Sequence, residues 1–468
     1  MPSWLAIQVS STSKKETYDG EPRFATASAL AEDIRAGRFT AVEVLEAHLA
    51  QIARHNESLN AIVTLDEEGA RRRAEAADAA RQRGELWGPL HGVPVTIKEH
   101  HSVAGLRHTS GGQADRLSFV ADRDSTVPAR LKAAGAVIMG MTNLYIRSDR
   151  VFGPSNNPWD LRRTSGTTSS GAAAALAAGL SALDVGSDGT GSVLGPAHYC
   201  GVFGMRPTEH RVSMHGVIYY PEPVPILRAV VVPGPIARSV SDLRLALQVI
   251  AGPDGLDPEV PPVAWREVEK PDVRNLRIAW TADFPGTLIG AEIRTAIERL
   301  VRDLERAGAH VKQTLPAVDF RAQYNLCWDL LGQMFGAFAP VAEGRAPVAL
   351  ADYFLALDQR ESLVAVWERF LTDWDVLICP VDRGPAPLHG DTTPTVDGAP
   401  LPDDLRVHPC SVIPLTGQPA ISMPLTLDSS GLPLGVLLVS KRWSDEKLLA
   451  IAEIISDMTG GFRRPPGY

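Results

Sequence analysis

Lys98 closes a β-branched apolar run, Val93-Pro-Val-Thr-Ile97, and is followed by Glu99, His100 and His101. Such a run reads as a buried strand, which would carry the lysine inside with it. Burial disfavours the ammonium, so its pKa falls and a neutral amine becomes available as a base. Further along come two turns rich in hydroxyls and glycine, Gly166-Thr-Thr-Ser-Ser-Gly171 and Gly186-Ser-Asp-Gly-Thr-Gly-Ser-Val-Leu-Gly195. In the second, successive N–H groups at Gly189, Thr190, Gly191 and Ser192 can point at one spot and hold an oxyanion. The spacing is neither that of G-x-S-x-G nor that of a P-loop. A lysine beside hydroxyls, with no Ser-His-Asp arrangement in the chain, suggests a Ser/Thr–Lys hydrolase.

Two other groupings invite chemistry. His91, His100, His101 and His108 fall close together beside Glu99, and zinc is held by such ligands. There is no H-E-x-x-H and no helical i, i+4 pair, so no metal is expected. His100 and His101 are instead expected to line the pocket entrance beside Lys98. Ser11-Thr-Ser-Lys14 matches S-x-x-K but sits in a polar stretch, where chance explains it.

The elements that must position these residues follow from periodicity. Residues 1–24 are polar and read as an N-terminal arm, with residues 25–468 as one domain. Ser28 can cap a first helix, and Thr40-Ala-Val-Glu43 is a capping box for a second, with Val44, Leu45, Leu49 and Ile52 on its apolar face. A third helix covers Glu67 to Gly84. Strands are expected at 93–97, 136–139, 276–280 and 376–378, and helices over 293–304 and 350–371. Ala172 to Ala178 is a helix of small side chains that can pack deep against a sheet. Residues 252–275 and 384–404, rich in proline, read as surface loops. This βα alternation predicts an α/β fold, a central sheet covered by helices on both faces.

Several stretches together resemble the amidase signature family. They are Gly88 to Glu99 (GPLHGVPVTIKE), Met139 to Asn143 (MGMTN), Phe152 to Asp160 (FGPSNNPWD), Arg163 to Gly204, and Ser430 to Trp443 (SGLPLGVLLVSKRW). The resemblance runs from Ser28 to the C-terminus. It implies the amidase signature fold, whose central sheet is mixed, and a triad of serine, cis-serine and lysine that cleaves amides, and sometimes esters or carbamates, without a cofactor. Alignment to the family motif makes Ser192 the nucleophile and Lys98 the base. The ungapped register back from Ser192 puts the relay hydroxyl, a serine in the family, at Thr168. A shift by one would make it Ser169, and a broken relay would leave a slow or dead enzyme. The family commonly has glycine where Thr167, Ser170 and Thr190 stand, and an arginine near Leu194. These departures bear on rate and substrate more than on fold.

Composition narrows the partners. The net charge is −9, which argues against a phosphate-tracking surface, so no nucleic acid is expected. No apolar run is long enough to span a bilayer, so no membrane partner is expected. The four cysteines are widely spaced in apolar contexts, as in reduced cytoplasmic proteins. The expected partner is a small-molecule amide or carbamate, as for aryl amidases and urethanases of the family; the resemblance leaves a homodimer open. Two rivals remain: a component of a transamidase for misacylated tRNA, and a catalytically weak homologue that binds amides.

Overall fold

The computed structural model describes residues 21–146, 151–217, 229–336, 349–391 and 393–468 of the chain. Most of the expected arm therefore lies outside the described residues, as does the Ser11–Lys14 match. Pro22–Phe24 form a 3-10 turn packed on the helix over Ala41–Leu59.

Helices α1 (Ala27–Arg35), α2 (Ala41–Leu59) and α3 (Glu67–Gln82) open the fold. The cap of α1 is Thr26, whose side chain accepts from Ala29 N. Ser28, the expected cap, lies inside the first turn and donates its hydroxyl to Asp242 instead. The capping box of α2 forms in both directions between Thr40 and Glu43.

Strands β1 (Ile62–Leu65), β2 (Pro94–Lys98) and β3 (Val137–Thr142) make a three-stranded sheet in the order β1-β3-β2. An eight-stranded sheet holds β4 (Asp184–Asp188), β5 (Phe203–Arg206), β6 (Val232–Ala237), β7 (Arg277–Trp280), β8 (His310–Gln313), β9 (Val376–Pro380), β10 (Ala420–Leu427) and β11 (Pro433–Val439). Its order is β8-β7-β9-β11-β10-β5-β6-β4. Parallel pairs (β7 with β8 and β9) and antiparallel pairs (β4 with β6, β10 with β11) make it a mixed sheet. A backbone bond of 3.1 Å from Thr96 N to Leu183 O joins β2 to the start of β4, so the two sheets meet at the lysine strand.

Helices α4 (Thr126–Ala133), α5 (Ser170–Ala177), α6 (Leu194–Cys200), α7 (Val240–Ile250) and α8 (Ala291–Arg306) follow, then α9 (Phe320–Gly336) and α10 (Leu350–Asp373). Helix α8 buries Ile293, Ile297, Leu300, Val301 and Leu304, the stripe its 3.6-residue period predicts. Every residue of α5 is buried. Its small side chains let it sit against α6, β6 and β2 at once, close to the lysine. Among the described residues no helix is long and apolar enough to cross a membrane. The four cysteines are all buried and unpaired.

Candidate active site

Lys98 ends β2, a strand buried along its whole length, and its side chain is 0% exposed. Four oxygens surround its amine: Thr168 Oγ1 at 2.6 Å, Ser169 Oγ at 3.0 Å, Ser187 Oγ at 3.0 Å and Ser187 O at 3.3 Å. A neutral amine donates two hydrogens and accepts one, so hydroxyls, which do both, suit either protonation state. Burial pushes the Lys98 pKa down to about 7; the charges of Asp188 and Asp184 hold it from falling further.

Asp184 is the deeper partner. Its carboxylate accepts from Thr96 Oγ1 at 2.6 Å and from Thr142 Oγ1 at 3.0 Å. Burial pushes its pKa up to about 7, against those two hydrogen bonds and the pull of Lys98. Base and acid therefore titrate together near neutrality, and the observable values belong to the pair.

The second turn leaves β4 at Asp188 and enters α6. The Asp188 carboxylate accepts from Gly191 N at 2.9 Å, Val193 N at 2.7 Å and Leu194 N at 3.2 Å, so the turn wraps around it. Buried Arg206 donates to Asp188 O at 2.7 Å, and Ser411 Oγ donates to Thr190 O at 2.7 Å. Gly191 has φ +89°, and a Cβ there would meet Cys410 Sγ at 2.7 Å. No other residue fits that position. Ser192 follows at the rim of this turn, 7% exposed.

The expected oxyanion cradle needs one correction. The Gly191 N–H is spent on the Asp188 side chain, at 2.9 Å. Among the described residues the N–H groups of Gly189, Thr190 and Ser192 have no acceptor, and these three remain as donors.

The relay expectation needs another. The Thr168 hydroxyl reaches Lys98 but not Ser192. The contact to the Ser192 oxygen comes from Thr167, at 3.2 Å. Ser169, the alternative relay, also lies against Lys98 and donates to Ser187 O at 3.4 Å. The bond from Ser170 N to Thr167 O at 2.9 Å closes a turn that swings consecutive side chains to different sides. Peptide bonds among the described residues are all trans, unlike the cis link that the family resemblance implies.

His100 and His101 do not stand at an entrance. Both are 0% exposed, with ring centroids 4.2 Å apart. Burial, then the neighbouring Lys98 and His108, push the His101 pKa down to about 3. Burial keeps both rings neutral. The sequence reading missed Asp184, Ser187 and Asp188. Asp188 had a usable signal: an aspartate just before a Gly-x-Gly turn, where a carboxylate can take the following N–H groups.

Comparison with known proteins gives this geometry a context. The family model described as Amidase matches residues 43–335 and 343–449. The chain is 31% identical to one of the subunits of the glutamyl-tRNA(Gln) amidotransferase of Moorella thermoacetica, over 95% of this chain and 98% of that one. It is 30% identical to an acylamidase of Rhodococcus erythropolis, over 91% of this chain and 94% of that one. Among solved structures, a 6-aminohexanoate cyclic dimer hydrolase complexed with substrate superposes with a TM-score of 0.79 at 27% identity, covering 95% of this chain and 99% of the other.

Proposed function

The chain belongs to the amidase family, whose members act on C–N bonds, and from that premise we propose that it hydrolyses an amide or carbamate of a small or oligomeric molecule through an acyl-enzyme on Ser192. Lys98, in its neutral form, takes the nucleophile's proton by way of the Thr168 hydroxyl, which rests 2.6 Å from the amine and closes on Ser192 when substrate is bound. The Ser192 oxygen adds to the acyl carbon, and the oxyanion rests on the N–H groups of Gly189, Thr190 and Ser192. The proton returns to the leaving nitrogen, and water then releases the acyl group.

The observation that carries the reading is the buried amine. A fully buried lysine with a hydroxyl 2.6 Å away and a pKa near 7 is a base, not a surface charge. Carbamates fit because their carbonyl passes through the same tetrahedral, oxyanionic state. The test is turnover of a panel of chromogenic amides, carbamates and esters, alongside labelling by a serine-directed fluorophosphonate. Activity on none, with no label at Ser192, would overturn it.

The role of Thr168 has its own test. Thr168→Ser keeps a hydroxyl beside Lys98 and is expected to retain the rate. Thr168→Val keeps the shape and deletes the oxygen, and is expected to cost about 100-fold in kcat, within the range of a lost proton-transfer group. Undiminished kcat in Thr168→Val would hand the relay to Ser169 or Ser187, the other two hydroxyls on the amine.

A second reading rests on the relatives that belong to glutamyl-tRNA(Gln) amidotransferases. In it, the same acyl transfer releases ammonia from glutamine for a partner protein. The net charge of −9 offers no favourable field for tRNA on this chain alone. Stable co-purifying partners and ammonia release from glutamine would favour this reading over the free-standing hydrolase.

A further inference from the structure

The contact of Thr167 with the nucleophile has no part in the proton path described above, and its role rests on the hydrolase reading. Thr167 is brought to Ser192 by packing rather than by chance rotation. Its neighbour Gly166 has φ +118°, and a Cβ there would lie 2.8 Å from Pro196 Cα. The turn therefore sits directly on α6, the helix that Ser192 leads into. Thr164 braces it from behind, accepting from Gly166 N at 3.1 Å and donating to Gly166 O at 3.0 Å. Ser170 N fixes the Thr167 carbonyl at 2.9 Å. With the backbone held at both ends, the β-branched side chain has few rotamers left. The one it adopts sets its hydroxyl against Ser192 Oγ as a donor, at 3.2 Å. Thr167 is exposed where Ser192 is buried, so it lies on the solvent side of the nucleophile.

The geometry points to Thr167 as a catalytic residue whose hydroxyl donates to the Ser192 oxygen, stabilising the negative charge that builds there on attack and again on departure. The two adjacent threonines divide the labour. Thr168 faces the base and serves the proton; Thr167 faces the nucleophile and serves the charge. In the attack, the Ser192 O–H bond breaks, its proton ends on the Lys98 amine, and an oxygen lone pair forms the bond to the acyl carbon. The proton then passes from Lys98 to the leaving nitrogen as the C–N bond breaks; in deacylation, Lys98 takes a proton from the attacking water, the bond from Ser192 to the acyl carbon breaks, its electron pair returns to Ser192, and Lys98 delivers that proton to it. Thr167 keeps its own proton throughout. A donor to the oxygen stabilises it as nucleophile and as leaving group alike, because it is negative in both transition states.

The experiment measures the second-order rate of fluorophosphonate labelling at Ser192 in the full chain, from pH 5 to 9, for wild type, Thr167→Val and Thr167→Ser. No substrate need be known. The valine variant is expected to label about 10- to 100-fold more slowly, the worth of a hydrogen bond to a charged atom. The serine variant is expected to recover most of the rate. The pH midpoint is expected to stay put in both, since no Thr167 contact involves Lys98. Melting temperatures close to wild type will exclude a folding defect at this exposed position. Equal labelling of wild type and Thr167→Val would overturn the role while leaving the hydrolase reading intact. So would a serine variant as slow as the valine one, which would implicate the methyl group. A displaced pH midpoint in the valine variant would place Thr167 in the proton path and overturn the division of labour. Absence of labelling in wild type would defeat both this role and the hydrolase reading.

Discussion

Ser192→Ala is expected to abolish hydrolysis, lowering kcat by about 10⁴-fold or more while the protein melts as before. Removing a nucleophile in comparable acyl-transfer sites costs on that order or beyond, because the remaining donors cannot form the acyl-enzyme. The fold should not notice. Among the described residues the serine side chain takes part in one hydrogen bond, to Thr167, and the turn is held by Asp188, Arg206 and Ser411 through backbone groups that alanine retains. The measurement is steady-state turnover of any amide that wild type accepts, with the fluorophosphonate label followed in parallel. A folded alanine variant with wild-type turnover would move the nucleophile elsewhere, with Ser169 and Ser187 as the next candidates.

Lys98→Ala is expected to lose about 10³-fold or more in kcat/KM, because both the base and the donor that returns the proton disappear together. Lys98→Arg should be no better, since a guanidinium stays charged and cannot accept. The sign of the pH dependence follows from the buried amine. Its pKa lies at about 7, and only the deprotonated form can take a proton from the hydroxyls. The wild-type rate is therefore expected to climb as pH rises from 6 through about 7 and to level above 8. The midpoint belongs to the Lys98–Asp184 pair. Asp184→Asn removes a charge that favours the ammonium, so it should carry the midpoint to lower pH. A flat profile from pH 6 to 9 would contradict the neutral-base role.

Much of this was legible in the residues, and the losses have identifiable causes. Elements with strong periodicity read through cleanly. The stripe of α8 and the capping box of α2 are fixed by local rules, so tertiary context had nothing to override. Lys98 was legible because a charge at the end of a buried strand is hard to explain otherwise. The cap of α1 was misread because Ser28 and Thr26 are equally good capping residues, and Asp242 on a distant helix claims the serine. The donor set of the oxyanion cradle was too generous because the backbone of Gly191 answers to a carboxylate three residues earlier. The relay was the hardest part. In a run of consecutive hydroxyls, sequence register says which residue follows which, but the turn decides which way each faces. His100 and His101 read as lining a pocket entrance because they follow Lys98 closely in sequence. In the molecule both rings are fully buried.

Helix α5 has a consequence for how this enzyme fails and how it can change. None of its residues has surface to spare, and all its side chains but Leu176 are already nearly as small as side chains come. An added methylene has nowhere to go and costs about 1–3 kcal/mol. The helix is therefore closed to gradual substitution, and any drift in substrate preference must be written into the loops around it. Its amide protons belong among those that exchange with solvent only when the whole molecule opens. The hydroxyls at its head inherit that protection, so heat should extinguish catalysis and structure in the same step.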